Sequence, residues 1–133
     1  MKRKILGLVH NSVTLVPLFA QLCKERLHNV DRFNIVDDSL SQDVIRHGKL
    51  TPQTARRTVQ HILSAEAAGA DYILVTCSSI GRAVETAASL SAVPVLRVDQ
   101  PMADRAVQTG SRIGVVATLP STLEPTAELI QRR

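Results

Sequence analysis

Short, largely apolar runs alternate along this chain with segments of helical periodicity, and that alternation limits the folds open to it more than any other feature. The runs are residues 5–9, 33–36, 72–75, 93–98 and 113–117. Each is short for a buried helix and lacks the every-other-residue polarity of a strand with one wet face. Each therefore reads as a strand, and residues 5–9 as a buried strand of a parallel sheet. Between the first two runs, Leu15, Val16, Leu18, Phe19, Leu22 and Cys23 recur at helical spacing over residues 13–27, with Pro17 near the start, where proline is tolerated. A short helix is expected over 41–46, ended by Gly48. Thr51 followed by Pro52 is a capping residue with proline at the first helical position; the helix it opens runs to residue 68 and stops at Gly69. Further helices are expected from 79 or 80 to 90, over 101–109, and from Ser121, where Ser121 and Glu124 have capping-box spacing.

Strands alternating with helices specify an α/β fold, a mainly parallel sheet flanked by helices. A chain of 133 residues supplies one such domain with a core. No internal repeat or low-complexity linker divides it, and residues 104–111 are the weakest candidate for a boundary.

Parallel α/β sheets bind ligands at the carboxyl ends of their strands. The polar loops expected there are His10-Asn11-Ser12, Asp37-Asp38-Ser39, Thr76-Cys77-Ser78-Ser79 and Thr118-Leu119-Pro120-Ser121-Thr122. Cys77 is the most reactive group in this set. A thiol just after a strand and just before a helix sits at the helix's positive end, which lowers its pKa from about 8.5. Thr76, Ser78 and Ser79, with the free N–H groups of the helix start, are suited to holding a carboxylate beside it. Such a thiolate serves as a base on a carbon acid or as a nucleophile on a carbonyl. The competing reading is a small buried hydrophobe closing a strand, a common place for cysteine, and the residues alone leave both open.

Other chemistries find less support. Of the four histidines only His10 is placed to share the ligand face, whereas His28 and His61 read as helix-surface residues. Asp37-Asp38 reads either as a paired-carboxylate site or as solvated capping residues. Cys23 falls on the apolar stripe of the first helix and reads as core. No nucleophile elbow, phosphate loop, dinucleotide fingerprint or metal-ligand spacing occurs, so neither cofactor nor metal is expected. The net charge of +4 raises the question of nucleic acid, but the basic residues are scattered and aromatics make up 2% of the chain, which leaves almost nothing for bases to stack on. No nucleic-acid partner is expected; a surface that attracts small anions is the better reading. Two cysteines make no disulfide framework. With no leader pattern and no apolar span of about 18 residues, a cytoplasmic protein without a membrane partner is expected.

Four segments, "VHNS" after the first strand, "VDDSL" after the second, "LVTCSSIG" after the third and "RIGVVATLPSTLEPT" near the end, together resemble the Asp/Glu racemase superfamily. This group comprises cofactor-independent amino-acid and hydantoin racemases, maleate isomerases and arylmalonate decarboxylases. The resemblance implies flavodoxin-like lobes in pairs, with substrate clamped between them and one strand-end cysteine from each lobe on opposite sides of the α-carbon. It assigns Cys77 as the first-lobe acid/base thiol. Asn11, Ser12, Thr76, Ser78, Ser79, Thr118 and Thr122 become the groups that hold a small carboxylate substrate, with no cofactor. It also implies a division: residues 1–103 are a first lobe, and 104–133 are the first strand-helix unit of an incomplete second one. The second-lobe cysteine is then missing. Three explanations are expected: a longer reading frame, a partner subunit that completes the site through self-association into a homo-oligomer, or a lobe that binds carboxylates without catalysis.

Overall fold

The computed structural model describes residues 2–133. Ten elements follow in order: β1 (Lys4–His10), α1 (Leu15–Arg26), β2 (Val30–Val36), α2 (Ser39–His47), α3 (Pro52–Ala67), β3 (Tyr72–Val75), α4 (Gly81–Leu90), β4 (Val95–Arg97), α5 (Gln100–Thr109) and α6 (Pro120–Gln131). The four strands form one parallel sheet in the order β2-β1-β3-β4. This is the α/β architecture expected from the apolar runs.

β1 lies inside the sheet and buries both faces. Leu6 and Leu8 point to a layer with Cys23 and Phe19 of α1, and Val9 points to a larger layer with Val44, Ile62, Ala65, Ile73, Val75, Ile80, Val84 and Ala87. Gly7 has a packing reason: a Cβ there would lie 3.1 Å from the Cβ of Ala70 and 3.3 Å from that of Ala65. A bare backbone lets this end of α3 and the turn after it sit close to the sheet. α3 starts as expected, with Thr51 Oγ1 accepting from the Thr54 N–H and proline in the first turn. The turn after it carries Gly69 at φ +95°, a conformation that favours glycine.

Two expectations fail. Residues 113–117 form no strand; Val116 is 98% exposed. The run is apolar enough to enter a sheet, but a strand needs a neighbour's backbone to pair with, and among the described residues none pairs with it. The Ser121–Glu124 capping box does not form either: Pro120 occupies the first turn, so α6 begins before Ser121, and its N-cap Leu119 has no side-chain capping bond. Smaller shifts fall at α2, which spans both expected ends, and at α4, which starts at Gly81 and leaves 76–80 as a loop. No helix among the described residues is long and apolar enough to cross a membrane.

Candidate active site

The third strand delivers Cys77 to the carboxyl edge of the sheet, where Thr76 N–H still bonds to Val9 C=O at 3.1 Å. The chain then turns, with Gly81 N–H donating to Ser78 C=O at 3.0 Å, before α4 begins. β1 brings Asn11 alongside, and its Nδ2 donates to Cys77 Sγ at 2.7 Å. The backbone N–H groups of Ser79 and Ile80 and the Ser79 hydroxyl, in the loop that follows, act on the thiol in the same direction and favour its charged form.

Around the thiol lies a cleft of about 250 Å³ lined by Asn11, Thr76, Cys77, Ser78, Ser79, Thr118 and Thr122, with Ser41, Val44, Ile45, Leu119 and Ser121. Segments more than a hundred residues apart, from Asn11 to Thr122, are thus gathered at one point. α6 is tied down beside them: Ser79 Oγ and Thr122 Oγ1 lie 3.0 Å apart, and Arg82 of α4 pairs with Glu128. Ser12 is not part of the lining; its hydroxyl is shared with Thr14 Oγ1 at 2.8 Å in the turn before α1. The α2 residues Ser41, Val44 and Ile45 carried no sequence signal, because a helix face becomes a cleft wall only through packing.

The electrostatics of Cys77 correct the expectation of a lowered pKa. Burial raises the thiol, and the hydrogen bonds from Ser79, Ile80 and Asn11 offset that only in part, so the net direction is upward. Desolvation of the charged sulfur outweighs the helix start and its donors. Among the described residues no cation contributes to the balance.

His10 shares the end of β1 but lies fully buried beneath the cleft. Its Nδ1 is 2.8 Å from Thr76 Oγ1, its Nε2 is 2.9 Å from Asn34 Oδ1, and its ring packs against Phe19. It supports Thr76 from behind. His61 is not a free surface residue: its Nε2 lies 2.7 Å from Asp37 Oδ2. Arg57 Nη2 donates to the same oxygen at 2.7 Å, while Oδ1 accepts from the Ser39 N–H and hydroxyl. Burial alone would raise the Asp37 carboxyl; the Ser39 and His61 hydrogen bonds and the Arg57 charge bring it below its ordinary value. Asp37 therefore ties β2 to α3, and Asp38 is exposed, so the two carboxylates form no catalytic pair. Cys23 is buried in the α1 layer, and no cluster of three potential metal ligands occurs among the described residues.

The molecule is thus a parallel α/β lobe with a thiol at a strand end, set among hydroxyls and a carboxamide. Compared with known protein families, residues 6–133 match the Asp/Glu/Hydantoin racemase family, and the chain belongs to it. A search among curated proteins finds no match.

Proposed function

We propose that the protein transfers a proton at carbon next to a carboxylate, with Cys77 as the acid/base thiol, as a cofactor-independent racemase of amino acids or hydantoins. The observation that carries this reading is the Asn11 carboxamide donating to Cys77 Sγ at 2.7 Å in a cleft lined by hydroxyls, with the Ser79 and Ile80 N–H groups adding to the same effect. Donors aimed at a sulfur stabilise the thiolate that forms when it gives up its proton. The hydroxyls of Thr76, Ser78, Ser79, Thr118 and Thr122 line the rest of that cleft and hold the substrate carboxylate, which keeps the α-carbon over the thiol.

Because burial favours the protonated thiol, Cys77 acts most readily as the proton donor, and its thiolate then serves as base in the reverse direction. Inversion needs a second group on the opposite face of the substrate. Cys23 is not that group, since it lies in the core beneath β1. In this reading residues 1–103 form the lobe that carries Cys77, residues 104–133 open the facing lobe, and the second group comes from that lobe or from another copy in a homo-oligomer. The same thiol would protonate a carbanion in a decarboxylase or add to a double bond in a maleate isomerase.

A second reading, a carboxylate-binding lobe without catalysis, is favoured by the upward shift of Cys77 and by its being the one thiol in the cleft. Incubation with single-enantiomer aspartate, glutamate and hydantoins in heavy water separates them. α-Deuterium incorporation lost in Cys77→Ala supports proton transfer. Silence across the panel by folded protein, with carboxylate binding unchanged in Cys77→Ala, overturns it in favour of the binding lobe.

A further inference from the structure

Arg97 closes β4 yet is only 4% exposed. Its Nε and Nη2 donate to the two oxygens of Asp99 at 3.0 and 2.7 Å, and its Nη1 donates to Glu85 Oε1 at 2.7 Å. Asp99 is itself buried. A buried ion pair is weak evidence for stability, because apolar residues of the same volume often serve as well. What the pair does provide is a rigid planar fork held in one orientation.

The fork is aimed at the start of α4. The guanidinium carbon and both terminal nitrogens lie so close to Gly81 that a Cβ on Gly81 would collide with all three. Gly81 is the first residue of α4, and its N–H closes the turn onto Ser78 C=O. Glu85, one helical turn further on, holds the same guanidinium and also accepts from Arg132 of α6 at 2.8 Å. Arg97 therefore grips the first turn of α4 at two points, by packing on Gly81 and by pairing with Glu85. The loop ending at Gly81 is the one that presents Ser79 and Ile80 to Cys77.

We propose that Arg97 is a positioning residue for Cys77: braced by Asp99 and pressed against Gly81, its guanidinium sets where α4 begins and so keeps the Ser79 and Ile80 N–H groups on the sulfur. The proposal rests on the reading of Cys77 as the working thiol but concerns its environment. Glycine at 81 is required by the guanidinium, not by backbone conformation, since its φ is not positive.

The test is the pH dependence of Cys77 alkylation by iodoacetamide, followed by peptide mass spectrometry in the full chain. Arg97→Lys keeps a charge but loses the fork, and Arg97→Met removes both. Each is expected to raise the thiol midpoint by about one unit, which slows alkylation about tenfold below the midpoint. Gly81→Ala, by displacing the guanidinium, does the same. In the Gly81→Ala/Arg97→Ala double variant the methyl group occupies space the guanidinium has left, so the double variant is no worse than Arg97→Ala alone. A merely structural role would lower the melting temperature and leave the midpoint in place. Midpoints within about 0.3 unit of wild type in folded Arg97→Lys and Gly81→Ala, or strictly additive effects in the double variant, overturn the proposal. Should Arg97→Met fail to fold, Arg97→Lys and Gly81→Ala still decide it. Shifted midpoints without deuterium exchange would keep the positioning role and remove the racemase reading; exchange with unmoved midpoints would do the reverse.

Discussion

Replacing Asn11 with alanine removes the one side-chain amide that donates to Cys77 Sγ, at 2.7 Å. The bond is worth most when the sulfur is charged, and hydrogen bonds to charged groups contribute about 1.5–3 kcal/mol. Asn11 is 8% exposed but the thiol is only partly buried, so solvent replaces part of the loss and the lower end of that range applies. At about 1.4 kcal/mol per pKa unit, the thiol midpoint rises by about one unit. It rises from a value that burial already holds above the ordinary one. The assay is the rate of Cys77 alkylation against pH, with Cys23 read separately as its own peptide. Below the midpoint the variant should react about tenfold more slowly than wild type. Asn11→Asp should raise the midpoint further, because a carboxylate beside a thiolate adds like-charge repulsion to the lost donor. A midpoint unchanged to within about 0.3 unit in folded Asn11→Ala would refute the reasoning. It would mean that the backbone donors alone set the thiolate's stability.

Two further outcomes test the fold. Asp37→Asn leaves Arg57 and His61 without their carboxylate, and is expected to cost about 1–3 kcal/mol in urea denaturation. Because the Asp37 carboxyl lies below its ordinary value of 3.8, its stabilisation is present above that pH and is lost as pH falls through the lower folded value; acid unfolding of the variant should therefore be shallower in this range. Gly7→Val places a branched side chain where even a single Cβ meets Ala70, Ala65 and Phe33 at 3.1–3.4 Å. It should lower stability by about 1–3 kcal/mol, while Leu8→Val, on the opposite face, should cost no more than about 1.5 kcal/mol.

Much of the architecture was legible because it depends on local chemistry. Short apolar runs that alternate with helical segments are buried on two faces inside a parallel sheet, and Thr51-Pro52 and Gly69 mark their helix by side-chain and backbone properties that act within a few residues. The cleft was legible in part for a related reason: strand ends in such sheets face one way, so Asn11, Thr76, Ser78 and Ser79 could be grouped before any contact was known, whereas Thr118 and Thr122 reach the cleft from the segment that opens α6 and not from a strand end.

The misses share one cause, a dependence on neighbours remote in the chain. Residues 113–117 have the composition of a strand, yet pairing is a property of two segments. His61 read as a surface residue because its partner Asp37 lies 24 positions away on another element. Arg97 carried no signal in the sequence, because only the packing of β4 sets it against Gly81. Sequence by itself determined that Cys77 stands between a strand and a helix among hydroxyls, since that order is written in consecutive residues. Only the tertiary structure decided the state of its thiol, because burial is set by everything packed around the sulfur, and here the cost of desolvating a charge exceeds what the nearby donors return.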